Sequence, residues 1–240
     1  MSAIIHDRQW CRLCAARVEK KFELAPTPIA NAYALAPDTN ARRYPLEVSQ
    51  CTRCWHVQQR YVIEGLFEDY KYATPGTPHE VTRAELLRTR YPKAKRVLEI
   101  GCNNGAFLDC LAQAGFEAVG IDPATSHRLG IKAYFNSAEA RNFRVQFDLI
   151  VANNVFAHID DMRDVFRGID LLLAPDGALV FEVQYFPALV AAGTFDMIYH
   201  EHMSYHTIGP LARFLRGQQL VMVRHEIIPT HGGSLRITAN

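Results

Sequence analysis

The apolar positions divide the 240-residue chain into two parts. Up to about residue 65 the apolar stretches are short and poorly periodic. From about Arg96 onward, short apolar runs alternate with helix-like stretches such as Gly105–Ala114 and Met162–Leu173, a pattern typical of strands alternating with helices. The predicted strands are Arg96–Ile100, Ala118–Ile121, Lys132–Phe135, Phe147–Ala152, Ala178–Val183, Val221–Ile228 and Ser234–Thr238. This order predicts an α/β fold whose mainly parallel sheet carries helices on both faces and ends in an antiparallel hairpin.

The charge balance excludes several classes of protein. Lys and Arg number 26 and Asp and Glu number 25, so the net charge is +1, and neither part carries a basic excess that would attract a phosphate backbone. A nucleic-acid partner is therefore disfavoured. No apolar run approaches the roughly 18 residues that span a bilayer, and the first residues lack the order of a signal peptide. We expect a cytoplasmic protein without a membrane segment.

Four of the six cysteines form two Cys-x-x-Cys pairs, Cys11 with Cys14 and Cys51 with Cys54. Disulfides are rare in cytosolic chains, and a redox Cys-x-x-Cys usually occurs singly. Two such pairs instead supply four thiolates that can converge on a tetrahedral zinc ion. We therefore predict a zinc-binding domain over residues 1–65, which the metal would help to hold together because its own core is small.

Residues 66–90 are predicted to form a linker followed by a helix. Pro and Gly make its first part a loop, which also contains Tyr70 and Tyr72. On the residues alone, a linker with aromatic anchors is the simpler interpretation.

The sharpest motif is a glycine turn after the first strand of the second part, running from Glu99 to Gly105. Glycines there let the backbone approach a ligand closely, and the helix that follows favours a polar or negative group at its start. Asp122 ends the next strand, where an acid accepts hydrogen bonds from a ribose diol. A dinucleotide-binding turn would have glycine where Asn103 stands, so E-x-G-x-x-x-G with a strand-end acid resembles the S-adenosylmethionine site of class I methyltransferases. The candidate cofactor-binding residues here are Glu99, Gly101, Cys102, Asn103, Gly105, Asp122 and Pro123, with Cys102 interpreted as a small turn residue rather than a nucleophile.

The exit of the fourth strand offers two amides, Asn153 and Asn154, as further cofactor contacts, since ligands gather at the carboxyl ends of parallel strands. Enzymes that methylate an amino group on a base usually have Pro-Pro at this point, whereas this chain has Asn-Asn-Val-Phe, so base N-methylation is disfavoured. His158, one turn further, is open to two interpretations, as a site residue or as a core-facing or capping histidine.

A histidine cluster runs from Tyr199 to His206 and contains His200, Glu201 and His202. Such residues are costly to bury and unnecessary for packing, which indicates a functional site. The zinc-protease spacing is not present, so an acid–base cluster is favoured over a second metal: imidazole titrates near neutrality and a carboxylate can fix its tautomer. The later His231-Gly232-Gly233 turn either closes the last hairpin or, with Arg236, meets a phosphate.

Taken together, the two cysteine pairs, the E-x-G-x-N-x-G turn, and the segments DLIVANNVFAHI, YHEHMSY and HGGSLR resemble the zinc-containing sugar C-methyltransferases. That resemblance implies a Rossmann-like seven-stranded class I methyltransferase domain over residues 91–240. It also implies that the enzyme uses S-adenosylmethionine to methylate carbon 3 of a nucleotide-linked 4-keto-deoxysugar. The residues that it places in the sugar pocket are Tyr70 or Tyr72, His158, Tyr199, Glu201 and His202.

The chemistry of these residue types fits the implied reaction. His202 is expected to remove a proton beside the ketone, with Glu201 orienting it or holding a sugar hydroxyl. Tyr199 and His158 are expected to donate hydrogen bonds to the enolate or to position the sugar ring.

Two departures from the family pattern matter. The tyrosine loop, usually serine-rich, has Ala73, Thr74, Pro75 and Thr77, and the 240 residues end before the third domain that usually follows the Gly-Gly-Ser-Leu-Arg strand. We therefore expect either that a partner or a missing C-terminal domain covers the substrate site, or that the acceptor differs from the usual one. The alternatives are a zinc-knuckle RNA methyltransferase, against which the neutral charge argues, and a non-catalytic interaction protein, against which the intact cofactor motif argues.

Overall fold

The computed structural model describes residues 4–31, 40–67 and 78–240. Tyr70 and Tyr72 lie outside the described residues. The described part forms three sheets: one of two strands, one of four and one of seven.

The N-terminal region is built of short antiparallel strands around the cysteine pairs. Its strands are β1 (Ile5–Asp7), β2 (Val18–Thr27), β3 (Tyr44–Cys51), β4 (Val57–Gln59) and β5 (Tyr61–Ile63). β1 pairs with β5, and β3 lies between β2 and β4. β3 is buried along most of its length, whereas β2, the edge strand of this sheet, is largely exposed.

The second region has the predicted alternation of strands and helices. Its elements are α1 (Pro78–Arg90), β6 (Arg96–Ile100), α2 (Ala106–Gln113), β7 (Glu117–Ile121), β8 (Gly130–Ile131), α3 (Ser137–Ala140), β9 (Phe147–Asn153), α4 (Met162–Leu172), β10 (Leu173–Gln184), α5 (Phe186–Ala192), β11 (Ser204–Tyr205), α6 (Ile208–Gly217), β12 (Met222–Ile228) and β13 (Ser234–Ala239). Short 3₁₀ turns stand at Phe195–Met197 and Thr230–Gly232.

The seven-stranded sheet has the order β12-β13-β10-β9-β6-β7-β8. The five strands from β10 to β8 are parallel, and β13 is antiparallel to both β10 and β12, which confirms the predicted sheet and its edge hairpin. The central strands are continuous apolar runs because helices cover both faces. α4 shows how: its buried side chains recur at helical spacing, and Asp161 caps its start by accepting a hydrogen bond from the Asp164 backbone.

The strand predicted over Lys132–Phe135 is wrong. The edge strand β8 ends at Ile131, which is partly exposed, and the chain then leaves the sheet. Phe135 turns inward instead and lies against Gly168 of α4, where a Cβ would come within 3.0 Å of its ring. The apolar and aromatic residues after Ile131 have the pattern of a strand, but the chain turns away from the sheet there so that the Phe135 ring is buried. The tenth strand also begins earlier than predicted, directly after α4.

The two regions share a sheet. β11, which follows the histidine cluster, pairs with β4 of the N-terminal region, with Ser204 opposite Gln58 and Tyr205 opposite Val57. The histidine cluster is thereby held at the junction of the two regions. Among the described residues, no helix combines the length and the apolarity needed to cross a membrane.

Candidate functional site

A cavity of about 910 Å³ opens at the carboxyl ends of the parallel strands. Its wall includes the ends of β6, β7, β9 and β10, and residues 62–67 of the N-terminal region complete the opposite side. This is the edge at which open parallel sheets bind ligands. All nine candidate cofactor residues except Gly105 line this cavity.

The glycine turn has the geometry that its sequence requires. Gly101 and Gly105 have φ values of +75° and +81°, in the left-handed region, and Gly105 caps the start of α2. A Cβ at Gly101 would overlap the Val155 side chain, so glycine is needed there for space as well as for conformation. Asp122 closes the turn: its carboxylate accepts hydrogen bonds from the Asn103 backbone (3.0 Å) and the Ala124 backbone (2.7 Å).

Glu99 is buried beneath this turn. Burial raises the pKa of its carboxyl to about 8, and its Oε2 has no hydrogen-bond partner within the described ranges. A buried acceptor without a partner is costly, so the carboxyl is set to receive a donor from a ligand. Cys102 lies beside it, and burial raises the pKa of its thiol to about 12. A thiol that stays protonated fits the prediction of a turn residue rather than a nucleophile.

His202 and Tyr199 form a hydrogen-bonded pair on the cavity wall. The Nδ1 of His202 lies 2.9 Å from the Met197 carbonyl oxygen, which can only accept, so Nδ1 carries the proton. Nε2 is then an acceptor and lies 2.8 Å from the Tyr199 hydroxyl. Burial lowers the pKa of His202 to about 3, so the ring is neutral at physiological pH with its lone pair on Nε2.

His158 lies against the same pair. Its ring centre is 5.0 Å from that of His202, and its Nδ1 lies 2.7 Å from the Glu201 carbonyl oxygen. Burial lowers the pKa of His158. Of the two interpretations left open by the sequence, the structure places His158 on the cavity wall.

Glu201 is placed differently from the expectation that it orients His202. That orientation comes from the Met197 carbonyl, while the fully buried Glu201 side chain points to the N-terminal region. Its Oε1 accepts hydrogen bonds from both the backbone and the side chain of Asn31, at 3.2 and 3.0 Å. Glu201 therefore links the histidine cluster to Asn31 of the N-terminal region. At the last hairpin His231 lines the cavity, whereas Arg236 turns inward and pairs with Glu182.

The four cysteines of the two pairs converge. Their sulfur atoms all lie within 4.8 Å of one another, with Cys11 to Cys54 at 3.5 Å and Cys14 to Cys51 at 3.4 Å. A tetrahedral Zn–S bond of about 2.3 Å places sulfurs about 3.8 Å apart, so the set fits zinc. Backbone N–H groups of Leu13, Arg53 and Cys54 lie 3.4 Å from cysteine sulfurs and would stabilise thiolates.

Arg12, inside the first cysteine pair, connects this centre to the cavity. Only 2% of Arg12 is exposed, and its Nε donates to Asp160 Oδ1 (3.1 Å) while Nη1 donates to the Gln59 carbonyl (2.7 Å). Burial lowers the pKa of its guanidinium to about 10. Asp160 lies two residues after His158 and also lines the cavity. Sequence reasoning missed Arg12, because an arginine between two cysteines reads as a surface charge.

The sheet order, the glycine turn and the strand-end acid define a class I methyltransferase fold that uses S-adenosylmethionine. Comparison with known proteins agrees: the chain belongs to the family described as "Methyltransferase domain", whose model matches residues 72–225. A second model, described as "Putative zinc binding domain", matches residues 11–65. The predicted fold class and cofactor are thereby confirmed, together with a cysteine-rich N-terminal region suited to zinc.

Individual relatives differ in how much of the chain they match. The C-methyltransferase NovU of Streptomyces niveus is 33% identical over 215 residues, which are 82% of this chain and 51% of NovU. The chain thus spans about half the length of that relative. A ubiquinone biosynthesis O-methyltransferase of Haemophilus ducreyi is 28% identical over 102 residues, 35% of this chain and 43% of that protein.

Solved structures support the fold alone. Magnesium protoporphyrin IX methyltransferase from Synechocystis PCC 6803, solved with S-adenosylhomocysteine, superposes with a TM-score of 0.51 at 15% identity, covering 67% of this chain and 82% of that one. The CcbJ methyltransferase from Streptomyces caelestis gives 0.53 at 14% identity, covering 73% and 94%.

Proposed function

We propose that this protein transfers the methyl group of S-adenosylmethionine to the carbon beside the ketone of a nucleotide-linked keto-deoxysugar. The observation that carries the proposal is the neutral Tyr199–His202 pair, which faces the same cavity as the glycine turn. A carbon acceptor needs a base and a group that stabilises an enolate, and a histidine lone pair beside a phenol supplies both. The name of the relative NovU, a C-methyltransferase, agrees with a carbon acceptor.

Each cofactor residue is assigned to a part of S-adenosylmethionine. Asp122 stands at the end of β7, where a carboxylate binds a ribose diol. Glu99 faces the α-ammonium group at the amino-acid end of the cofactor. The backbone of Gly101, Cys102 and Asn103 borders the space between them, with Pro123, Asn153 and Asn154 along the wall. Gly105 contributes the start of α2. S-adenosylmethionine, when bound, supplies an electrophilic methyl group.

The acid–base step follows from the resting hydrogen bond. When a sugar ketone enters, the Tyr199 hydroxyl turns from His202 to the ketone oxygen, which frees the lone pair on Nε2. His202 then takes the proton from the carbon beside the ketone, and the enolate oxygen accepts a hydrogen bond from Tyr199. With the cofactor bound, its methyl group would be supplied to this carbon, and His202 returns its proton to water. His158 packs against His202 and holds its ring in place. Tyr70 and Tyr72 remain candidates for the sugar pocket outside the described residues.

Solvent exchange tests the base separately from methyl transfer. In D₂O without S-adenosylmethionine, the protein should exchange the proton beside the ketone of an NDP-4-keto-deoxysugar, as measured by NMR. His202→Asn should abolish the exchange, because it removes the basic lone pair but keeps a polar side chain. Tyr199→Phe should slow the exchange by about 10²–10³-fold, the usual loss of one enolate-stabilising donor. Both variants should bind S-adenosylhomocysteine as the wild type does. Full exchange in His202→Asn would remove His202 as the base.

A further inference from the structure

A polar layer lies on one face of the seven-stranded sheet, at its carboxyl end. Glu99 of β6, Asn153 of β9 and Glu182 of β10 stand on neighbouring strands, with Asn153 in register with Glu182. Arg83 of α1 lies above them. All four residues line the cavity. These polar residues stand where apolar side chains pack further down the same face. Because a buried polar layer does not increase stability by itself, it indicates a binding role.

Arg83 is held in place but not fully used. Its Nη1 donates to Glu182 Oε2 at 3.2 Å, and its guanidinium carbon lies 4.2 Å from the centre of the Phe107 ring at the start of α2. Only 8% of the residue is exposed, and its Nε has no hydrogen-bond partner among the residues that the structure describes. Glu80 approaches Nη2 only to 4.0 Å, which is too long for a hydrogen bond. The side edge of the guanidinium, formed by Nε and Nη2, is the edge that pairs with carboxylates.

Arg83 shares its nearest carboxylate, Glu182, with a second arginine, and its other ion pair, with Glu80, is long at 4.0 Å. Glu182 is already neutralised from the other side by Arg236, whose Nε and Nη2 lie 2.8 and 2.7 Å from its Oε1. Within the described residues Arg83 is also the one arginine or lysine that lines the cavity. A negative group entering the cavity therefore has a single buried cation to meet.

Glu99 supplies the opposite half of the layer. Across residues 4–31, 40–67 and 78–240, its Oε2 is a buried acceptor without a partner, as Arg83 Nε is a buried donor without one. Arg83 is near enough to draw the pKa of Glu99 downward, against the larger rise that burial causes. A guanidinium with one unused donor edge beside a carboxyl with one unused oxygen is complementary to a zwitterion, and the amino-acid end of S-adenosylmethionine is one.

We propose that Arg83 binds the α-carboxylate of the cofactor through its Nε and Nη2 edge, while Glu99 faces the α-ammonium group. Glu182 and Phe107 position Arg83 for this contact. The inference rests on the cofactor and not on the sugar acceptor, so it stands even for a chain that methylates no keto sugar.

A comparison of ligands tests the contact. Isothermal titration of the zinc-loaded chain measures the affinity for S-adenosylmethionine and for decarboxylated S-adenosylmethionine, which lacks only the carboxylate. Arg83→Met should weaken S-adenosylmethionine by about 10–100-fold, the range for a lost charged hydrogen bond, and decarboxylated S-adenosylmethionine by less than about threefold. The control Arg236→Met removes the other partner of Glu182 and should weaken both ligands by the same factor.

Two results would overturn the proposal. Equal weakening of both ligands by Arg83→Met would show that Arg83 only supports the structure around Glu182, and no weakening of either would show that it is not used. If Arg83→Met does not fold, the wild-type chain decides alone. It should prefer S-adenosylmethionine over its decarboxylated analogue by about tenfold or more, and equal affinities would refute the contact.

Discussion

Replacement of Arg12 by methionine tests how the zinc-binding region is attached to the cavity. Methionine fills a similar volume but can donate no hydrogen bond. The change leaves the carbonyl of Gln59, a fully buried residue, without the Nη1 donor at 2.7 Å, and it removes the contact of Nε with Asp160 at 3.1 Å. The four cysteines stay in place, so zinc binding itself should be retained.

The expected loss of stability follows from these two contacts. An acceptor left unpaired in a buried position costs about 1–3 kcal/mol. The pair with Asp160 contributes less than a fully buried one, about 1 kcal/mol, because 35% of the Asp160 side chain is exposed and Arg8 also lies 3.3 Å from it. The substitution also removes the cost of desolvating a buried guanidinium, which offsets part of the lost stability. We therefore expect the free energy of unfolding to fall by about 2–3 kcal/mol.

Urea unfolding of the zinc-loaded protein measures this loss, with zinc content determined by elemental analysis for each variant. The matched control is Arg8→Met, which removes a partly exposed arginine from the same Asp160 and should cost less than about 1 kcal/mol. If Arg12→Met lowers the free energy of unfolding no more than Arg8→Met does, Arg12 does not link the zinc-binding region to the segment with His158 and Asp160.

Three further predictions concern the cofactor turn and the metal. Gly101→Ala should lower stability by more than the about 1–2 kcal/mol that a left-handed alanine costs, because its Cβ would also overlap the Val155 side chain. The double variant with Val155→Ala should lose the overlap but keep the backbone strain, so its thermal midpoint should lie between those of Gly101→Ala and the wild type. Glu99 is protonated below its raised pKa of about 8 and must ionise to face a cation, so cofactor affinity should rise between pH 6 and 8, with proton release in calorimetry. A Glu99→Gln protein with the same pH slope would contradict this. Cys51→Ser should reduce bound zinc to well below one per chain and lower the thermal midpoint, whereas Cys110→Ser, outside the cluster, should change neither.

The parts of the fold that could be predicted depend on local patterns. β6 and β9 are apolar runs with turns at both ends, and the glycine turn between β6 and α2 is dictated by backbone sterics at two positions. Each of these signals lies within a few residues. The edge strand β8 was misplaced because the signal there depends on Phe135 packing against a glycine of a later helix.

The parts of the site that could not be predicted depend on distant partners. Glu201 was expected to orient its neighbour His202 or to hold a sugar hydroxyl, but its Oε1 accepts a hydrogen bond from Asn31, which is 170 residues away in the chain. In the sequence, Arg83 resembles a surface charge on a polar helix. Its buried position depends on Glu182 of β10, which is 99 residues later in the chain. Residue types and order identified the histidine cluster, whereas the tautomer of His202 depends on the fold of the chain around Met197.

The most direct test of the central claim is methyl transfer itself. The chain is incubated with S-adenosylmethionine carrying a ¹³C methyl group and a panel of NDP-4-keto-deoxysugars, and the products are analysed by NMR. We expect a labelled methyl group bonded to the carbon beside the ketone, and no product with His202→Asn. Label on an oxygen or a nitrogen of the sugar nucleotide, or transfer to RNA with none to any keto sugar, would contradict it.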